Sequence, residues 1–204
     1  MQRILVTSSL LALAAATALT GCSTDGTPSP RGDPTSAAPT SQNLHGAPHV
    51  THPLHTTTFQ NDPCSMLTPQ QVQQLHTSIK MATKYAPDAN SGSGPGCTWS
   101  GDTTETITAA VGLLTAGQGL SNIYAQKGTY MVFNPQPEIV GYPAVVAMTT
   151  DERSAGSCSL LVGVSDKLAL EVDVFVDIAT NHTTPCVSAK QVAQAAVATI
   201  KGGS

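Results

Sequence analysis

The chain has 204 residues, a formal net charge of −4 at pH 7 and an aromatic content of 4%. It contains one tryptophan and no basic stripe, so it lacks the electrostatic footprint and the aromatic stacking platform of nucleic-acid-binding proteins. These features argue against nucleic acid as a partner. The length accommodates one domain of ordinary size together with terminal segments.

Residues 1–21 are typical of a lipoprotein signal peptide. A charged start at Arg3 precedes a mostly apolar run from residue 4 to residue 19, and two small residues then lead to Cys22. The run is too short and too polar for a transmembrane helix, and an ordinary secretory cleavage site needs no cysteine at this position. We therefore expect cleavage before Cys22 and lipid attachment to its thiol, which would anchor the protein at the extracytoplasmic face of the cell membrane.

Residues 22–58 predict a tether between this anchor and a folded domain. They are rich in Ser, Thr, Pro and Gly and contain almost no large apolar residue, so we expect them to stay extended and solvated. The tether also contains a cluster of potential metal ligands at His45, His49, His52 and His55. Pro48 and Pro53 keep these histidines from sharing one helical face, so we interpret them as part of a polar linker; weak binding of Zn or Cu is the alternative.

Residues 59–201 predict a single folded domain, because apolar periodicity begins at Phe59 and continues to Ile200. The domain contains four cysteines besides the one expected to carry lipid. Their even number and wide spacing in an exported protein favour two disulfides over a metal site. Three pairings are possible, and we favour the one that joins Cys64 to Cys97 and Cys158 to Cys186.

Two amphipathic helices flank the predicted domain. The first begins after Thr68, which forms a capping box with Gln71, and its apolar spacing continues to Ile79. The second begins at Ser188 with the same kind of box and ends at Ile200.

Alternating apolar and polar residues predict strands between these helices. The predicted strands lie at residues 107–113, 138–148, 158–164 and 168–176, with a short helix at 120–127. Asp166 and Lys167 turn the last two strands into a hairpin, Gly141 and Pro143 interrupt the second strand, and residues 92–96 form a flexible loop. The sequence therefore predicts an α+β fold, in which an antiparallel sheet has flanking N- and C-terminal helices.

Several short motifs follow one another in a specific order. They are Asp62-Pro63-Cys64-Ser65-Met66-Leu67-Thr68, Gly96-Cys97-Thr98-Trp99, Val140-Gly141-Tyr142-Pro143-Ala144-Val145, Cys158 in a strand, and Pro185-Cys186 before an Ala-rich helix. With the lipidation motif and the tether, this series resembles the actinobacterial lipoproteins catalogued as domain of unknown function 3558. The resemblance implies an exported, lipid-anchored α+β domain with the two bridges paired as above, and it implies no established activity.

The domain offers little that is typical of an enzyme. Glu171, Asp173 and Asp177 lie on the polar face of the last strand, which we interpret as a solvated face rather than as an acid/base site. His76 and His182 have no visible orienting partner. We therefore expect no catalytic residue, no cofactor and no metal.

Three functions remain. We favour a non-catalytic binding module for an envelope lipid, glycan or small ligand. A protein-docking or sensing accessory of an envelope complex is the second hypothesis, and an enzyme is the third. For the first we place a candidate ligand surface at Trp99 and Tyr142, where the loop of residues 92–99 would meet the strand break at residues 141–143. The alternative is that both are core residues, with the tryptophan packed beside a bridge.

Overall fold

The computed structural model describes residues 43–76, 79–88, 92–101, 107–115, 119–178 and 184–203. The signal peptide, Cys22, the first part of the tether and His182 lie outside the described residues. The helices are α1 (Thr57–Asn61), α2 (Pro69–Leu75), α3 (Gly119–Ala125) and α4 (Pro185–Gly202). The strands are β1 (Ile79–Tyr85), β2 (Ser93–Gly101), β3 (Thr108–Leu114), β4 (Val132–Ile139), β5 (Tyr142–Met148), β6 (Ser157–Ser165) and β7 (Leu168–Phe175).

All seven strands form one antiparallel sheet in the order β1-β2-β3-β7-β6-β5-β4. The main core lies between one face of this sheet and α4, which packs across β6 and β7. A smaller cluster covers part of the opposite face, beneath α3. This architecture confirms the predicted α+β fold.

The central strands follow the predicted alternation. β3 and the β6–β7 hairpin occur where expected, with the turn at Asp166 and Lys167. The strand predicted at residues 138–148 is instead the hairpin β4–β5. Val140 and Gly141 both have positive φ, 54° and 88°, as a two-residue type I′ turn requires, so Gly141 turns the chain rather than kinking one strand.

The glycine-rich segment at residues 92–96 was predicted to be a loop, and that prediction is wrong for most of it. It begins β2, which pairs with the unpredicted strand β1. Gly96 lies between Tyr85 and Gly112 across the sheet, and a Cβ on either glycine would collide with the Tyr85 ring. Glycine therefore stabilises β2 here by leaving room for a tyrosine that lies against the sheet.

The helix boundaries show where local capping rules hold. α2 has the predicted capping box, in which the Thr68 side chain accepts from the Gln71 N–H while the Gln71 side chain accepts from the Thr68 N–H. It ends at Leu75, and Ile79 already belongs to β1. α4 begins one turn before its predicted cap, so Ser188 is a buried residue inside the helix.

None of the described helices is long and apolar enough to span a membrane.

Two disulfides join the helical segments to the sheet. Cys64 in a 3₁₀ turn (Pro63–Met66) is bonded to Cys97 in β2, and Cys158 in β6 is bonded to Cys186 at the start of α4. The Cα–Cα distances are 5.0 Å and 5.1 Å, within the ordinary range for a disulfide. The predicted pairing is confirmed.

Ordered structure begins before the boundary predicted at Phe59. Residues 43–56, which we call the strap, run along the domain, and Val50 is buried in the main core. The Val50 N–H donates to Asp166 at 2.8 Å, and the Leu54 N–H donates to the Val164 carbonyl at 2.9 Å. The last part of the predicted tether is therefore packed rather than solvated, because its few apolar side chains and backbone groups find partners on the β6–β7 hairpin.

Candidate functional site

A pocket of about 550 Å³ lies between α2 and the β1–β2 end of the sheet. Its wall is predominantly apolar. The apolar lining consists of Cys64, Leu67, Pro69, Val72, Ile79, Met81, Ala82 and Trp99. An apolar cavity of this size, with a few polar groups at its rim, matches the usual dimensions of small-ligand sites.

Trp99 lies against this pocket from the sheet side. It is only 2% exposed, so the pocket reaches the edge of an otherwise buried ring. Its cross-strand neighbour in β1 is the exposed residue Ala82, and a small side chain at that position leaves space beside the indole. One of the two residues predicted to form a ligand surface thus lies at a cavity.

Gln71 fixes the helical wall of the pocket. Besides closing the α2 capping box, its side-chain NH₂ donates to the Ala195 carbonyl at 3.1 Å, and its side-chain oxygen accepts from the Thr199 hydroxyl at 2.9 Å. Both of these partners lie on α4. One glutamine therefore connects α2 to the long helix, so the position of the pocket wall depends on a contact between distant parts of the chain.

Polar groups from both walls surround the pocket. Asp62, Ser65, Gln73 and Lys80 contribute to the lining, and Asp62 Oδ1 is 2.8 Å from Nζ of Lys84. Both members of this ion pair are more than half exposed. The arrangement suits a molecule with an apolar body and a polar end. The apolar walls can exclude water from the body, and the polar groups of the rim can bind the end.

The structure does not bring Tyr142 to Trp99. Tyr142 is 4% exposed and lies on β5, so three strands separate it from Trp99 on β2. Its hydroxyl donates to the His52 carbonyl in the strap at 2.9 Å. The ligand surface predicted at the junction of these residues is therefore not formed, because the predicted strand break is the turn of a hairpin and places Tyr142 inside the sheet.

A second cluster of polar groups lies on the sheet face opposite α4. Burial raises the pKa of Glu171, with a smaller contribution from the charge of Asp173, to about 7. Burial also raises the pKa of Asp173, against the effect of a hydrogen bond from the Ser159 hydroxyl. Both residues are half-buried, so the interpretation of a fully solvated face does not hold for these two carboxyl groups.

Two tyrosines contribute to this cluster. Tyr85, which lies over Gly96 and Gly112, has its pKa raised to about 12 by burial and by the charges of Glu171 and Asp173. Burial and the charge of Glu171 also raise the pKa of Tyr130. The cluster thus holds groups that can exchange protons, but it belongs to a sheet face rather than to the large pocket.

The histidines of the strap do not converge. Nδ1 of His49 is 2.6 Å from a carboxylate oxygen of Asp166, whereas Nδ1 of His52 lies 2.9 Å from the Thr51 hydroxyl. Across the described part of the chain, no group of three His, Cys, Asp or Glu residues is arranged to hold a metal ion. His76 forms the half-buried C-cap of α2.

Sequence reasoning missed β1, and with it one wall of the pocket. Its segment Ile79–Tyr85 contains an isoleucine, a threonine and a tyrosine, which favour strands, but two lysines and an alanine dilute that signal. The role of Gln71 in joining α2 to α4 left no signal in the sequence, because the two segments meet only in the fold.

Comparison with known proteins places the chain in a family without assigning an activity. The model of the family described as "Protein of unknown function (DUF3558)" matches residues 17–199, which covers the predicted signal cleavage site and almost all of the folded domain. No curated protein matches the chain, and no solved structure matches it. The chain therefore belongs to the family of proteins of unknown function designated DUF3558.

Proposed function

We propose that this protein is a lipid-anchored, extracytoplasmic binding module that holds an envelope lipid, a glycan or another small ligand without transforming it. The pocket between α2 and the β1–β2 end of the sheet is its binding site. The observation that carries the proposal is the combination of an apolar cavity of about 550 Å³ with polar groups along its rim.

The construction of the pocket supports a binding role. The Cys64–Cys97 disulfide joins its helical wall to β2, and Gln71 fixes the same wall to α4. A cavity held from two sides needs little rearrangement to accept a ligand, so less binding free energy is lost to ordering. The carboxyl groups with raised pKa lie on the other sheet face, which separates them from the pocket.

The anchor is proposed from the sequence. Residues 1–21 and Cys22 have the pattern of a lipoprotein signal and its acylated cysteine. Replacing Cys22 by Ala should release the protein from the membrane or leave the signal uncleaved, as fractionation and intact-mass measurement would show. A Cys22→Ala protein that still carries acyl chains at the mature mass would disprove the anchor.

The binding role can be tested on the full chain purified from its native envelope. Native mass spectrometry followed by organic extraction should reveal a bound compound in the wild-type protein. Gln73→Trp, which adds a ring to the pocket rim, should remove that compound. Gln74→Trp is a matched control, because its side chain is exposed on the same helix and lies outside the lining. Equal retention of the compound by both variants would contradict the assignment of the site.

Docking of a protein partner is the second candidate, and one observation favours it. Met81 is 51% exposed on β1, next to the pocket, although it is a large apolar residue. Methionine adapts its shape to different apolar partners and is frequent at promiscuous protein-binding surfaces.

A further inference from the structure

The pocket between α2 and the β1–β2 end of the sheet has a buried end and an open end. Leu67, Ile79 and Trp99 in its lining are 2 to 3% exposed. Met81 and Asp62, which also line it, are exposed at the surface. A ligand therefore enters past the second group, and the part of it that reaches the first group loses contact with water. This difference gives the ligand a direction, with its apolar part at Trp99 and its polar part at Asp62.

The volume of the pocket limits the apolar part to one hydrocarbon chain. A protein cavity of about 150 Å³ holds benzene, which corresponds to about 25 Å³ for each carbon atom. At that ratio a pocket of about 550 Å³ holds about 20 carbon atoms. This volume suffices for one acyl chain of ordinary length, and it is too small for the two chains of a membrane phospholipid.

The charges at the open end favour a head group without a charge. Asp62 Oδ1 and Lys84 Nζ are 2.8 Å apart, and both side chains are more than half exposed. An anionic head that approaches Lys84 therefore meets Asp62, and a cationic head that approaches Asp62 meets Lys84. A hydroxyl group avoids both conflicts, because it donates to a carboxylate and accepts from an ammonium group. Lys80 also lines the pocket, but it is engaged in an interaction of its own.

We propose that the pocket binds a single-chain lipid with an uncharged, hydroxylated head group, of the monoacylglycerol type. The acyl chain lies against Trp99, and the hydroxyl groups of the head bind Asp62 and Lys84. A free glycan lacks the apolar part that the buried end requires, and a two-chain phospholipid exceeds the volume. The inference rests on the proposed function, and it narrows the ligand of that site to one class of lipid.

The test uses the fluorescence of Trp99, which is the one tryptophan of the chain and lies at the pocket. The full chain in phosphatidylcholine vesicles is titrated with a dibromostearoyl monoacylglycerol, whose bromine atoms quench tryptophan at contact distance. Emission should fall to a plateau. Dibromostearoyl phosphatidylcholine in the vesicles should leave it unchanged. The corresponding alkyl sulfate and alkyltrimethylammonium should each bind about fivefold more weakly, the effect expected for one exposed contact between like charges.

Variants at the open end test the head group. Asp62→Asn removes the carboxylate and should make the alkyl sulfate bind more tightly than the monoacylglycerol. Asp151→Asn is the matched control, because it also removes an exposed carboxylate from an ion pair and lies outside the pocket lining. It should keep the preference of the wild-type chain.

Variants of β1 test the position of the chain. Ala82→Phe adds a ring to the lining beside Trp99 and should abolish quenching. Thr83→Phe adds the same ring to the next residue of the strand, whose side chain points to the other sheet face, and should leave quenching unchanged.

Several results would overturn the inference. They are absence of saturable quenching, quenching by the two-chain lipid, and binding of a charged probe or of dibromostearoyl lysophosphatidylcholine as tightly as the monoacylglycerol. If Gln73→Trp removes the envelope compound while no single-chain probe quenches Trp99, the pocket binds another class of ligand and only this inference fails. If Gln73→Trp retains the compound and no probe quenches Trp99, the proposed function fails as well.

Discussion

The β1–β2 end of the sheet and its β6–β7 centre are both joined to a helical segment by a disulfide, but they are packed very differently. β6 and β7 are rich in Val and Leu, and α4 packs across one face of both strands. β1 is exposed at five consecutive residues, and the pocket lies between it, the short α2 and a 3₁₀ turn. The bridge at the centre thus reinforces a filled core, whereas the bridge at the end supports a cavity.

Removing the two bridges separately should give the largest effects. Each pair of Cys→Ala replacements should lower the free energy of unfolding in urea by about 3 to 4 kcal/mol, because a cross-link restricts the unfolded chain. Loss of Cys64–Cys97 should also abolish retention of the bound compound, since this bridge lines the pocket. Loss of Cys158–Cys186 should spare retention in the fraction that remains folded. Equal retention of the compound by the two variants would show that the Cys64–Cys97 bridge has no special role at the pocket.

Glu171→Gln should change how stability depends on pH at the centre of the sheet. The pKa of Glu171 is about 7 in the folded protein, against 4.5 for an unperturbed glutamate. The folded state therefore binds more protons between these values, so stability is greatest at acidic pH and falls as the pH rises towards 7. The variant should remove much of that loss and be more stable at pH 8, by about 3 kcal/mol at most.

Chemical denaturation at pH 5 and pH 8 would measure this effect. Glu138→Gln is the matched control, because it removes an exposed carboxylate from the edge strand β4. If the Glu171 and Glu138 variants showed the same pH profile, the carboxyl group of Glu171 would have to be solvated.

Trp99→Phe and Tyr142→Phe compare the two aromatic residues directly. The first should cost about 1 to 2 kcal/mol through lost packing and should weaken retention of the bound compound, because the indole lies at the pocket. The second should cost about 1 kcal/mol through loss of the hydrogen bond to His52 and should leave retention unchanged. Both variants would be tested by thermal melting and by extraction of the bound compound. Loss of the compound from Tyr142→Phe would contradict the conclusion that Trp99 lies at the binding site and Tyr142 does not.

The smallest expected effect is a gain in stability at the β4–β5 turn. Val140 has a φ of 54°, a left-handed conformation that a β-branched residue adopts only with strain. Val140→Asn creates the Asn-Gly pair that type I′ turns favour and should stabilise the domain by about 0.5 to 1 kcal/mol. Retention should not change, because the turn is remote from β1 in the strand order. A lower melting temperature would show that the Val140 side chain contributes packing that outweighs the strain.

The elements that sequence reasoning predicted correctly depend on neighbouring residues. The α2 capping box needs only Thr68 and Gln71, and the β6–β7 hairpin follows from alternation around a two-residue turn. The predictions that failed depend on distant contacts. Gly96 looked like a loop residue because Tyr85, which covers it, lies in another strand, and Glu171 looked solvated because the groups that bury it come from other elements.

Apolar periodicity and cysteine number were enough to predict the α+β class and two disulfides, because both can be read along the chain, and the motif at Cys22 predicts a lipid anchor in the same way. That Trp99 lines a pocket while Tyr142 is bonded to the strap could be seen only in the folded chain. A cavity and a half-buried carboxyl group are defined by which distant parts of the chain pack around them and which do not.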